Sequence, residues 1–146
     1  MIINNTKKKR LPSNWRKRIE FTEEWYEGKQ YKSELESFLE IKIEFKKGKN
    51  PKGFDRYIGY IKIKKDKNKY WIDESDVWKE LQGRGLGKTL YLMALERCGS
   101  ITTQYHHASE QAQYVWKSLM KKYKFKTDFF KGTLTVWNKE KTAVSH

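Results

Sequence analysis

Residues 81–91 read LQGRGLGKTLY. Gly83, Gly85 and Gly87 alternate with other residues, and Lys88, Thr89 and an apolar run follow. Glycine reaches positive φ without strain and leaves backbone N–H groups uncovered. A helix opening directly behind such a turn aims its unpaired N–H groups and its positive dipole end at an anion. Arg84 and Lys88 add charge. The chemistry on offer is the holding of a phosphate, and spacing narrows whose. A loop of the form G-x-x-x-x-G-K-S/T would need its first glycine where Gln82 stands, and G-x-G-x-x-G would need its third where Lys88 stands. Neither nucleotide motif fits.

Other reactive side chains flank the loop. YWIDESDVW, residues 70–78, carries Asp73, Glu74 and Asp76. On a regular strand Trp71, Asp73, Ser75 and Val77 share one face, and Tyr70, Ile72, Glu74 and Asp76 the other. His106 and His107 follow a short apolar stretch. Adjacent histidines on a strand point to opposite faces and no third ligand is spaced nearby, so no metal is expected. His106, at the strand end, is a candidate for acid–base work.

The elements that must position these residues follow from periodicity. Residues 20–38 are rich in helix formers and read as one or two short helices broken near Gly28. Leu39, Ile41, Ile43 and Phe45 then alternate with charged residues, as a half-buried strand requires. KKGKNPKGFD is a turn, Tyr57, Gly59, Ile61 and Ile63 make a second alternation, and 70–78 make a third strand after KKDKNK. These read as an antiparallel meander. LGKTLYLMALER is a helix closed by Gly99, and ITTQYH, residues 101–106, a short strand. Ala112, Val115, Trp116, Leu119, Met120 and Tyr123 form one apolar stripe on a helix over 109–123, with Ser109 as N-cap. KFKTDFF and TLTVWN form a closing hairpin. The order predicts an α+β, or mixed α/β, domain.

Composition bounds the setting. The chain has 146 residues and a formal net charge of +14. Residues 1–18 hold Lys7, Lys8, Lys9, Arg10, Arg16, Lys17 and Arg18 and no acid, and read as a flexible basic tail. The domain is expected over 19–138, with a C-terminal tail over 139–146. Residues 41–69 are also basic, whereas 70–82 are acidic. A basic tail and hairpin suggest a polyanionic partner, nucleic acid first. Cys98 is the single cysteine, so no disulfide framework is possible within the chain. No apolar run approaches the roughly 18 residues of a membrane span. A soluble cytoplasmic protein with no membrane partner, monomeric or homodimeric, is the expectation.

Gln82-Gly83-Arg84-Gly85-Leu86-Gly87 matches Q/R-x-x-G-x-G/A. With its surrounding elements it resembles the acyl-CoA loop of the GCN5-related N-acetyltransferase (GNAT) family. The resemblance spans about residues 39–138 and is most specific over 70–125. IDESDVWKELQGRGLGKTLYLMALER looks like the family's fourth strand, cofactor loop and third helix, and SEQAQYVWKSLMKKYKF like its fifth-strand exit and fourth helix. It implies a mixed, mainly antiparallel sheet of about six or seven strands flanked by helices, splayed between the fourth and fifth strands. Acetyl-CoA as co-substrate would lie in that cleft. Backbone groups of Asp76, Val77 and Trp78 would pair with its pantetheine arm, and amides from Gln82 to Lys88 would hold its pyrophosphate. Asp73 is implied as the general base, with Glu74 in reserve should the strand be bulged. The family's fourth helix reads roughly N-x-x-A-x-x-L-Y, its tyrosine serving as acid. Alignment on Ala112 puts Ser109 at the asparagine and Trp116 at the tyrosine. Alignment on Phe125 puts Gln113 and Met120 there instead. Tyr114, Tyr105, His106 or solvent must then return the proton.

The implied activity is acetyl transfer to a primary amine. The acceptor is a lysine, a protein N-terminus or a polyamine, or an amine carried on nucleic acid or aminoacyl-tRNA. The S-x-x-A-x-x-x-W helix also looks like that of phage-encoded members. A non-catalytic nucleic-acid or protein binder on the same fold is the alternative, with the missing tyrosine as its symptom.

Overall fold

Leu39, Ile41, Ile43 and Phe45 are fully buried, and the intervening residues are only partly so. The same period-two burial recurs at Ile61 and Ile63. A computed structural model of the chain describes residues 10–27 and 37–142. Its strands are β1 (Ile19–Glu27), β2 (Ser37–Phe45), β3 (Tyr57–Asp66), β4 (Lys69–Val77), β5 (Ser100–Gln104), β6 (Tyr123–Asp128) and β7 (Thr133–Glu140), with helices α1 (Leu86–Cys98) and α2 (Glu110–Lys122). The strands form one seven-stranded sheet in the order β1-β2-β3-β4-β5-β7-β6. Neighbours pair antiparallel except β4 and β5. This is the mixed, mainly antiparallel α+β architecture expected.

The helical reading of residues 20–38 is overturned over its described part. Residues 19–27 form the edge strand β1. Glutamates favour a helix locally, but Ile19, Phe21 and Trp25 stand opposite Phe45, Ile43 and Leu39 across the ladder. Strand preference reflects the surface a residue packs on more than its intrinsic tendency. Glu23 shares that apolar face because Arg97, near the end of α1, meets it at 2.7 Å. The expected break near Gly28 lies outside the described residues, as do residues 1–9 of the basic tail and 143–146 at the C-terminus. The remainder of that tail is part of the fold. Residues 15–18 form a short 3-10 helix, and Trp15 is buried in the core cluster. At the other end β7 continues to Glu140, beyond the expected boundary.

α1 packs across β2, β3, β4, β5 and β7 through Leu86, Leu90, Tyr91, Ala94 and Leu95, and ends at Gly99 in the left-handed region. The predicted stripe of α2 meets the core through buried Trp116 and Leu119, with Ala112, Val115, Met120 and Tyr123 beside them. No described helix is long and apolar enough to cross a membrane.

Two features of β4 shape the site. Lys62 pairs with Glu74 but Ile63 pairs with Ile72, which leaves Asp73 as an extra residue in a bulge. The regular alternation predicted for 70–78 therefore breaks. Ile72 and Ser75 share the face of Ile63 and Ile61, whereas Trp71, Glu74 and Asp76 share the face of Lys64, Lys62 and Tyr60. The second feature is divergence. β4 and β5 pair only at Trp71 and Thr102, so their C-terminal ends separate. Gly59 sets the approach of β3 on the other side. A Cβ there would lie 2.5 Å from the Asp76 carbonyl oxygen. Gly59→Ala must displace β4, and overpacking of this kind costs about 1–3 kcal/mol. Urea denaturation should show a lower midpoint with an unchanged slope.

Candidate active site

The glycine loop has the conformation its spacing predicts. Gly83 and Gly85 have φ of 78° and 82°, with open space where a Cβ would stand. Gly85 is the N-cap of α1, and no side chain caps the helix. Its first-turn N–H groups remain available to an anion. Gln82 braces the loop from the side. Its amide donates to the Val77 carbonyl at 2.9 Å and accepts from Gln111 of α2 at 3.1 Å.

The divergence of β4 and β5 opens a cleft of about 590 Å³ above this loop. Asp76, Val77, Gln82, Gly83, Gly85, Leu86, Gly87, Lys88 and Ser109 all line it, as does the exposed Tyr114. Two of the residues expected to hold a cofactor stand outside the lining. Trp78 packs edge-on to Phe54, ring centroids 6.0 Å apart, and its N–H is bonded to the Ile58 carbonyl at 2.7 Å. The Arg84 guanidinium turns away over the Trp15 ring, 5.8 Å from its centroid. Backbone groups of successive strand residues point to opposite edges. Since Trp78 N–H faces β3, Val77 N–H faces the gap. The Asp76 carboxylate belongs to the opposite sheet face, where Tyr57 donates to it at 3.2 Å. Burial and that carboxylate push the Tyr57 pKa upward.

A second cleft of about 670 Å³ lies on the other side of the same opening. Asp66, Asp73 and Glu74 outnumber Lys64 in its lining and make it acidic, and Gln104 and His107 line it as well. Glu74 accepts a hydrogen bond from Tyr60, which with partial burial pushes that phenol up to about 12. The Asp73 carboxylate, like that of Asp66, has no hydrogen-bond or ion-pair partner among the described residues, so it stays open to a ligand. His106 lies elsewhere. The strand expected over 101–106 stops at Gln104, and Tyr105–His107 form a 3-10 turn. His107 lines the cleft, whereas the His106 ring sits edge-on to Tyr105.

The two clefts meet at Ser75, Tyr91, Ser109 and Ala112. Tyr91 and Ser75 escaped the sequence reading. Tyr91 is 3% exposed, and its hydroxyl lies 3.2 Å from Ser75 Oγ. Burial raises its pKa, while Ser75 and the nearby Trp116 indole pull the other way. Trp116 and Met120 are the two residues that the resemblance sets, by its two alignments, at the family's tyrosine, and Trp116 is the one beside Tyr91. It is fully buried, stacks edge-on against Tyr91 with centroids 5.4 Å apart, and its Nε1 has no hydrogen-bond partner. The signal for Tyr91 was present: it shares the buried stripe of Leu86, Leu90, Ala94 and Leu95. Thiol chemistry has no support, since burial foremost, with Glu23, pushes the Cys98 thiol up to about 11.

No protein-family model and no characterised protein matches the sequence. Solved structures do. The chain is similar to the ribosomal-protein-S18-alanine N-acetyltransferase from Escherichia coli, with TM-score 0.48 and 10% identity over 75% of this chain and 74% of that one. It is also similar to nourseothricin acetyltransferase, with TM-score 0.44 and 11% identity over 68% and 62%. Both neighbours are GNAT acetyltransferases. Likeness at that level carries no weight for the site, which rests on the geometry above.

Ser109 Oγ accepts from the Ala112 N–H at 3.1 Å and so caps α2 at the junction of the clefts. Ser109→Ala should lower unfolding free energy by about 1 kcal/mol, measured by urea titration.

Proposed function

We propose that the protein is an acetyl-CoA-dependent N-acetyltransferase acting on a primary amine. One observation carries the reading: the gap between β4 and β5 ends at an uncapped helix with a positive-φ glycine loop, and opens through Tyr91 onto an acidic second cleft. The residues present fit the co-substrate. Free amides of the loop suit a diphosphate, and the exposed edge of β4 suits an extended amide-bearing arm. The motif resemblance over 82–87 points the same way.

Bound acetyl-CoA would supply a thioester carbonyl open to a neutral amine. Val77 N–H, aimed into the gap, polarises the carbonyl oxygen. Asp66, Asp73 and Glu74 draw a cationic amine into the second cleft, and Asp73 takes its proton, directly or through water. The Tyr91 hydroxyl, kept protonated by burial, returns a proton to the departing sulfur. Amines on protein, including lysine and the N-terminus, and amines carried on nucleic acid or aminoacyl-tRNA all present this cationic group. The acidic cleft favours it whatever its carrier.

Acetyl-CoA at about 100 times its dissociation constant should add about 2.7 kcal/mol, a rise on the order of 5–10 °C in melting temperature for a chain of this size. Gly85→Glu should abolish the rise, because the side chain enters the anion site and strains a φ of 82°. No rise with the native protein at millimolar acetyl-CoA would sink the enzyme reading and leave the non-catalytic one. Asp73→Asn and Tyr91→Phe should retain the thermal rise. Each should slow acetyl transfer to a polyamine or a lysine peptide about 100-fold, followed as free thiol released.

A further inference from the structure

The described part of the N-terminal segment is folded onto the glycine loop, and it brings two guanidinium groups together. Arg16 Nη2 donates to the Arg84 carbonyl at 3.2 Å. That carbonyl belongs to the peptide joining Arg84 to Gly85, the N-cap of α1. The Arg16 guanidinium lies 4.4 Å from the centroid of the Trp15 ring, and the Arg84 guanidinium lies 5.8 Å from the same centroid. Trp15 is 7% exposed and belongs to the core cluster, so the ring that both approach is held in place. The segment is held further by Lys46, whose N–H donates to the Arg18 carbonyl at 2.7 Å and whose Nζ donates to the Lys17 carbonyl at 3.2 Å.

Neither Arg16 nor Arg84 meets a carboxylate among the described residues. Two like charges gathered on one ring repel each other, and no ion pair among the described residues offsets them. Cation–ring attraction, about 0.5–1 kcal/mol at an exposed site, holds each arm but does not neutralise it. Such a pair is arranged to receive an anion. Arginine suits a phosphate monoester, which carries a charge near −2 at neutral pH and accepts paired N–H donors.

We propose that Arg16 and Arg84 form a subsite for the 3′-phosphate of the adenosine end of coenzyme A. This rests on the acetyl-CoA reading above. The loop amides satisfy the diphosphate, and the third phosphate of that co-substrate needs its own cations just beyond the loop. The Trp15 bracket stands there, one peptide unit from Gly85. The bracket recognises a nucleoside 3′-phosphate and is indifferent to the acyl group.

Calorimetric titration of the full chain with coenzyme A and with 3′-dephospho-coenzyme A tests this. The native protein should bind coenzyme A on the order of tenfold more tightly. Arg16→Gln and Arg84→Gln should each bring the ratio of the two dissociation constants close to one. If Arg16 merely braces the loop, Arg16→Gln would weaken both ligands alike and preserve the ratio, which overturns the subsite. A native ratio near one, with both ligands bound, also overturns it while leaving the acetyl-CoA reading intact. A native ratio near one alongside tight, Arg16-dependent binding of a single-stranded oligonucleotide would assign the bracket to nucleic acid. Binding of neither ligand removes the acetyl-CoA reading and the subsite with it.

Discussion

β4 and β5 run parallel and are neighbours in the sheet, yet they pair only at Trp71 and Thr102. Beyond that point each strand carries N–H and C=O groups without a strand partner, inside an otherwise continuous sheet. Backbone polar groups are satisfied almost without exception in folded proteins. Some of this deficit is met locally, as where Gln82 takes the Val77 carbonyl. The rest faces the clefts. The gap is held open from both sides. β3 is drawn close to β4 by Gly59, where no side chain fits. β5 is tied to β7 along its whole length, with Thr102 and Thr135 joined at 2.9 Å. Neither strand can drift toward the other without losing an existing ladder, so the opening is a consequence of pairing elsewhere.

That opening also separates charge. The loop end of the gap is defined by helix amides and by Lys88, and the far side by Asp66, Asp73 and Glu74. The bulge at Asp73 matters to this division. It lets Ile72 stay on the apolar face with Ile63 while Glu74, opposite Lys62, takes the face of Tyr60, whose phenol holds its carboxylate. With it, Glu74 and Asp76 are each committed to a tyrosine, and Asp73 stays uncommitted at the mouth. A loop of free helix amides and a group of carboxylates therefore sit on either side of one buried hydroxyl.

The parts legible in the sequence are those governed by local rules. Gly83 and Gly85 had to be glycine because their φ is positive. The stripe on α2 had to be buried because its spacing leaves one apolar face, and Ser109 had to cap it. What escaped depends on contacts distant in sequence. β1 is rich in glutamate and becomes a strand only because β2 offers an apolar partner and Arg97 a cationic one. The bulge appears only in the register of β3 against β4. Arg16, which reads as one more charge in a basic tail, reaches the loop because Trp15 is buried. Net charge suggested a polyanion, but the fold decides which cations converge.

Trp116 and Tyr91 show how a missing residue is read once the packing is known. Judged along the chain, a tryptophan where the family resemblance leads one to expect tyrosine removes a proton donor. In three dimensions the large indole fills the core beneath α1 and presses edge-on against Tyr91. The phenol on the adjacent helix is thereby held with its hydroxyl against Ser75, between the clefts. A smaller residue at 116 would leave a cavity behind Tyr91 and free its ring to turn. Under the proposed chemistry the two helices have exchanged duties: α2 supplies the packing that positions the ring, and α1 supplies the hydroxyl. A buried indole at 116 then counts against the proposed chemistry only if Tyr91 proves dispensable.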